Sequence, residues 1–105
     1  QRAESYHARA EYFIFQVRDA TAAELAAREG LKYASSPQKY ADLLGNLGVS
    51  LWQQNRLLEA AEPLRESVKI EQELNSEGLA VSLAHLALVL SGLGKYQEVL
   101  ISIVW

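Results

Sequence analysis

The sequence predicts an all-α fold: an α-α superhelix of three helix-turn-helix units, six helices stacked as a solenoid in a single domain over residues 1–105. Three observations predict it. Apolar residues recur every three or four positions along nearly the whole chain. Short polar or glycine-containing turns interrupt that pattern at regular intervals. The pattern also repeats itself: Asn46-Leu47-Gly48-Val49-Ser50-Leu51 aligns with His85-Leu86-Ala87-Leu88-Val89-Leu90, and Asn55-Arg56-Leu57-Leu58-Glu59-Ala60 with Gly94-Lys95-Tyr96-Gln97-Glu98-Val99, both at an offset of 39. Helix, turn and second helix recur in step. The units run over about residues 2–36, 39–75 and 78–105.

The first helix is expected over residues 2–18, with Tyr6, Ala10, Phe13, Ile14 and Val17 on one stripe. Asp19 and Thr21 can cap a second helix through Leu25, Ala26 and Leu31 to about Ala34. Ser35-Ser36-Pro37 breaks the chain, and Pro37 suits the first turn of a third helix carrying Tyr40, Leu44, Leu47, Gly48 and Leu51. After the polar turn Gln53-Gln54-Asn55, a fourth helix carries Leu57, Ala60, Ala61, Leu64, Val68 and Ile70 and ends near Leu74-Asn75. Pro63 within it removes one backbone bond and by itself predicts a kink. Ser76-Glu77-Gly78 restarts the chain into a fifth helix with Leu79, Leu83, Leu86, Ala87 and Leu90. Gly92-Leu93-Gly94 is a tight turn, and a sixth helix begins at Lys95, with a strand competing over residues 99–105. The first unit fits the others at an offset of 37 or 38, so its register is open by one residue.

These residues resemble the tetratricopeptide repeat family. The second unit offers Leu44, Leu47-Gly48, Leu51, Ala60, Leu64 and Ser67; the third offers Leu83, Leu86-Ala87, Leu90, Gly94-Lys95-Tyr96 and Val99. The run Glu59-Ala60-Ala61-Glu62-Pro63-Leu64, followed by Ser82-Leu83-Ala84-His85-Leu86-Ala87, is most similar to the longer kinesin-light-chain type of repeat, which also accounts for Pro63. Asn55 stands where the family has a turn glycine, Gln72 where a closing proline is usual, and Val99 in place of alanine. The resemblance implies that Gly48 and Ala87 sit where paired helices cross.

Composition narrows the chemistry. Half the residues are hydrophobic and 22% are charged, so a folded domain is expected rather than a disordered one. Each of the ten basic residues has an acid within four positions, and no basic stripe is present to neutralise phosphates; nucleic acid is not the expected partner. With no cysteine, disulfide frameworks, zinc knuckles and thiol nucleophiles are excluded. No apolar run is long enough to span a membrane, and the expected setting is cytoplasmic. The absence of an initiator methionine and the apolar final residues read as a piece of a longer protein.

Catalytic constellations are weak, and no cofactor or metal is expected. His7 and Glu11 lie one helical turn apart but lack further metal ligands. Ser82 and His85 share a helical face, with Asp42 a third group by repeat position, but a hydroxyl bonded to its own helix is the favoured reading. Gly92-Leu93-Gly94-Lys95 lacks the spacing and flanking elements of a phosphate loop. Glu59, Glu62, Glu66, Glu71 and Glu73 interleave with Arg65 and Lys69 as a solvated face would.

The chain is therefore expected to be a non-enzymatic scaffold that holds a peptide or helix of a partner protein. By resemblance, the first helices of successive repeats line a concave groove, with Asn46 bonding the guest's backbone and His85 in the equivalent position of the third unit. Val49, Trp52, Gln53 and Leu88 are its expected neighbours, with Asp42, Val81 and Ser91 by motif position and Tyr12 and Phe15 from the first helix. A clamp for a terminal carboxylate is not expected, because Ala8, Tyr12 and Val81 occupy positions where such members carry polar or basic side chains. The alternative is self-association through the apolar end of the chain, at Leu100, Ile101, Val104 and Trp105.

Overall fold

The structure, a computed structural model, describes residues 2–11 and 19–94 and contains five α-helices there: α1 (Arg2–Glu11), α2 (Ala20–Leu31), α3 (Pro37–Gln53), α4 (Leu57–Leu74) and α5 (Leu79–Gly92). No strand occurs among the described residues. The expected sixth helix, the continuation of the first through residues 12–18, and with them Tyr12, Phe15, Leu100, Ile101, Val104 and Trp105, lie outside the described residues.

Local chemistry sets the helix ends. Asp19 Oδ1 accepts the backbone N–H of Ala22 at 3.0 Å and caps α2 alone. Thr21, expected to share that role, is already inside the helix. α2 also stops at Leu31, three residues short of the expected Ala34, because Lys32 and Tyr33 turn their N–H groups back to Glu29 and Gly30. The chain must then enter the extended backbone of Ser36, which precedes Pro37. Ser36 Oγ accepts the N–H of Lys39 at 3.1 Å, and Pro37 occupies the first turn of α3, where its missing N–H costs nothing.

The α3–α4 turn depends on Asn55, whose φ of 61° lies in the left-handed region. Asparagine is among the few non-glycine residues that visit that region routinely, so it does the work of the turn glycine it replaces. Gly94, 39 residues later, has φ 75°. The two repeat-related turns therefore share a left-handed residue. α4 runs unbroken through the buried Pro63, so the kink that proline alone would predict does not end the helix.

Each helix packs on the next in sequence, while α1 also contacts α3 and α3 contacts α5. α1, α3 and α5 thus form one row, with α2 and α4 behind it. The core between the rows joins Leu47 and Leu51 of α3 to Ala60, Ala61 and Leu64 of α4, with Ala26 and Ala27 of α2 and Val89 of α5. Leu51 and Leu64 are almost wholly buried, each contributing roughly 1.5–3 kcal/mol.

Gly48 lies where α3 crosses α4. A methyl group added there would come within 2.6 Å of Leu64 Cδ2 and would also collide with Leu64 Cγ. Gly30 plays the same part where α2 meets both α1 and α3: its added Cβ would lie 2.7 Å from Tyr6 Cβ and 2.9 Å from Leu43 Cδ2. Ala87, expected at the equivalent crossing of the third unit, is half-buried, and the second helix it would meet lies outside the described residues. Tyr6 stacks on Tyr33 with ring centroids 5.9 Å apart, tying α1 to the α2–α3 link.

Two substitutions test this packing. Gly48→Leu should lower unfolding free energy by about 1–3 kcal/mol or more, measured by urea denaturation, because the added side chain would collide with Leu64 at the crossing. Asn55→Ala should cost about 1 kcal/mol in the same assay, whereas Asn55→Gly should be neutral or slightly stabilising, since only alanine carries a Cβ without a side-chain bond to offset the left-handed backbone.

Candidate functional site

Two adjoining cavities open along the α1–α3–α5 row. The larger, about 290 Å³, takes His7 and Glu11 from α1, Asp42, Asn46 and Val49 from α3, Glu71 from α4, and Val81, Ser82 and His85 from α5. The smaller, about 180 Å³, is more apolar and is lined by Val49, Trp52, Gln53, Leu64, His85, Leu88 and Val89. Val49 and His85 border both.

The helical spacing of α3 explains this assembly. Asp42, Asn46, Val49 and Gln53 follow one another at intervals of four, three and four, so they form one stripe. The opposite stripe, with Leu44, Leu47 and Leu51, faces the core. Asn46, Val49, Trp52, Gln53, His85 and Leu88, all expected at a partner groove, thus line two contiguous cavities. Asp42 and Val81 join them, and Ser91 lines neither. Trp52 is 39% exposed and Leu88 52%, so both present apolar surface to solvent.

Asn46 is largely buried, and its Nδ2 donates to His7 Nδ1 at 2.6 Å and lies 3.5 Å from the His7 carbonyl. For that bond to form, His7 Nδ1 must be the bare nitrogen and Nε2 must carry the proton. Nε2 then points at Glu11 Oε2, 3.4 Å away. The pair considered as metal ligands is therefore a link in a hydrogen-bonded chain running from α1 to α3. No group of three or more His, Cys, Asp or Glu residues able to hold a metal occurs among the described residues.

Glu71 overturns one expectation. It was assigned to a solvated face with Glu59, Glu62, Glu66 and Glu73, which are exposed; Glu71 is only 2% exposed. Its carboxylate accepts from Ser82 Oγ, and from Gln38 Nε2 and Ser76 Oγ at 3.4 Å; Ser67 Oγ lies 3.3 Å away and shares its one proton with the Ala41 carbonyl at 3.0 Å. Ser82 is likewise not bonded back to its own helix: its hydroxyl crosses to α4, reaching Glu71 and Ser67. Among the described residues His85 makes no hydrogen bond to Ser82, so a Ser82–His85 pairing does not form; the serine's partner is the Glu71 carboxylate. The sequence did carry a signal for Glu71. Leu64, Ser67, Val68 and Glu71 follow the i, i+3, i+4, i+7 spacing of the buried stripe of α4, and a carboxylate on such a stripe must find donors. Burial also lowers the pKa of His85, which favours its neutral form.

A second polar cluster braces the back of the molecule. Burial opposes the charge on Glu24, yet hydrogen bonds from Gln54, Arg28 and Arg56 more than compensate and hold its carboxyl below the usual range. Gln54 Nε2 donates at 3.0 Å, Arg28 Nε at 2.9 Å and Arg56 Nη1 at 2.7 Å. Arg56 also grips Glu59 through Nε and Nη2 at 3.0 and 2.8 Å, which raises its own pKa. The cluster fastens α2 to the α3–α4 turn and so fixes where the α3 stripe faces.

Residues 41–77 match the family model of a tetratricopeptide repeat, spanning most of α3, the turn, α4 and the link to α5. No curated protein and no solved structure gave a significant match. No described helix is long and apolar enough to cross a membrane.

The brace predicts a pH dependence. An unfolded glutamate titrates near pH ~4.3, and Glu24 titrates lower when folded. Its contribution is therefore complete above about pH 4.3 and is lost as pH falls through the folded value. Urea unfolding across acidic pH should show Glu24→Gln less stable than the parent chain at neutral pH, with the gap narrowing as the medium becomes acidic.

Proposed function

Because the chain carries a tetratricopeptide repeat over residues 41–77, a unit whose general role is protein–protein interaction, we propose that it is a scaffold binding an extended peptide or a helix of a partner protein along the α1–α3–α5 row. The reading includes a division into three repeats over about residues 2–36, 39–75 and 78–105, supported by the left-handed turn residues Asn55 and Gly94 at the repeat offset.

One observation carries the proposal. Residues assigned to the partner groove by motif position alone, among them Asn46, Trp52, His85 and Leu88, line two contiguous cavities on a single side of the molecule. That side offers what a peptide groove requires. Trp52 and Leu88 provide exposed apolar surface to bury, with Val49 between the two cavities, and Asn46, Gln53 and His85 offer polar groups that can orient a guest's backbone. Ser82, which borders the larger cavity, has its hydroxyl engaged with Glu71 and Ser67.

The test is a peptide selected from a random-sequence display library on the immobilised chain, titrated into isotopically labelled protein. Amide shifts should concentrate on Asn46, Val49, Trp52, Gln53, His85 and Leu88 and leave Leu25 and Leu58, exposed on α2 and α4, unmoved. Trp52→Ala should weaken binding about tenfold or more, as removal of an aromatic anchor does, with little change in unfolding midpoint. Shifts confined to α2 and α4 would overturn the proposal.

A further inference from the structure

We propose that the guest is a peptide segment presenting a lysine or arginine beside a large apolar residue, the cation entering the 290 Å³ cavity and the apolar side chain the adjoining 180 Å³ one. This inference rests on the groove reading above and names the chemistry of its occupant.

Among the described residues, the walls of the larger cavity carry three carboxylates, Glu11, Asp42 and Glu71, and no lysine or arginine. None of the three is paired with a lysine or arginine among the described residues. Glu71 is held by three hydroxyls and the amide of Gln38, Asp42 by the same amide at 2.9 Å, and Glu11 lies 3.4 Å from the imidazole of His7. Elsewhere the acids of this chain do find cations, as Glu24 finds Arg28 and Arg56 and Glu59 finds Arg56. The larger cavity therefore concentrates negative charge where water is partly excluded, and an incoming cation is attracted more strongly there than on an open surface.

A second observation points the same way. Asn46 is 9% exposed and borders the cavity. Its amide nitrogen is spent on His7, while its Oδ1 accepts no hydrogen bond among the described residues. That oxygen is an acceptor held ready for a guest N–H, whether from an ammonium, a guanidinium or a backbone amide. The remaining basic group facing the cavity from α5, His85, has its charged form disfavoured by burial and so does not cancel the field near neutral pH.

The smaller cavity fixes the second half of the motif. Val49, Trp52, Leu64, Leu88 and Val89 leave it little polar wall, and it meets the larger one at Val49 and His85. Two side chains filling both must therefore come from adjacent or nearly adjacent residues of the guest. An acidic guest is disfavoured, since it would set its carboxylate against three others.

The experiment uses peptides selected from a random-sequence library on the 105-residue chain, each resynthesised with its basic residue replaced by norleucine, and titrated by fluorescence anisotropy. Enrichment of Lys or Arg beside a large apolar residue is expected. Affinity should fall about tenfold for the norleucine peptides and for the doubly substituted Glu11→Gln, Asp42→Asn chain, and binding of the parent peptides should weaken as salt rises. Both substituted acids lie at the rim rather than in the core, so circular dichroism should show the fold unchanged. If selected peptides carry no basic residue yet lose affinity with Trp52→Ala, the groove stands and the cationic assignment falls. If binding is insensitive to Trp52→Ala and to the acid substitutions alike, or if no peptide is selected, both fall.

Discussion

The close approach of α3 and α4 at Gly48 is the constraint on which the rest of the molecule depends. A glycine at that crossing lets the Leu64 side chain lie directly against the α3 backbone. With the helices so close, Leu47 and Leu51 pack with Ala60, Ala61 and Leu64 in one core. Gly30 sets the matching distance between α2 and its neighbours on either side. Small residues placed where helices cross thus determine the spacing of the rows, and the spacing determines which side chains are left facing outward.

The outward stripe of α3 is what remains after the core has taken its share. Asp42, Asn46, Val49 and Gln53 stand opposite Leu44, Leu47 and Leu51, so any shift in the crossing would turn both sets together. The Glu24 cluster guards against such a shift from the other side, holding the α3–α4 turn to α2 through charge-assisted bonds. Polar chemistry in this protein therefore has two separate tasks. At the back it locks the turn, with acid and base matched. On the α1–α3–α5 side Glu11, Asp42 and Glu71 have hydroxyl, amide and imidazole partners, and no lysine or arginine partner among the described residues.

Glu71 connects those two regimes. It lies on the buried stripe of α4, yet one of its neighbours, Ser82, comes from α5 and another, Gln38, from α3. Burying a carboxylate without a counter-ion is costly, and the four donors around it recover part of that cost. Because Gly78 packs directly on its carboxyl group, Glu71 also joins the start of α5 to the end of α4. A single side chain thereby links three helices at the edge of the larger cavity.

The sequence by itself determined the five described helices and the turns between them, because each is a local matter. Apolar spacing, Ser36-Pro37 at a helix start, and a left-handed residue at Asn55 act over a few neighbours and can be read one segment at a time. The crossing glycine was legible too, through the resemblance of Leu47-Gly48 to the family's motif. Only the tertiary structure decided the fate of individual polar groups. Whether Glu71 meets water or three helices, and whether His7 is a ligand or the partner of Asn46, depend on atoms brought together from distant positions. A helix's periodicity shows which face is buried; the donors waiting on the other side come from helices it meets only after folding.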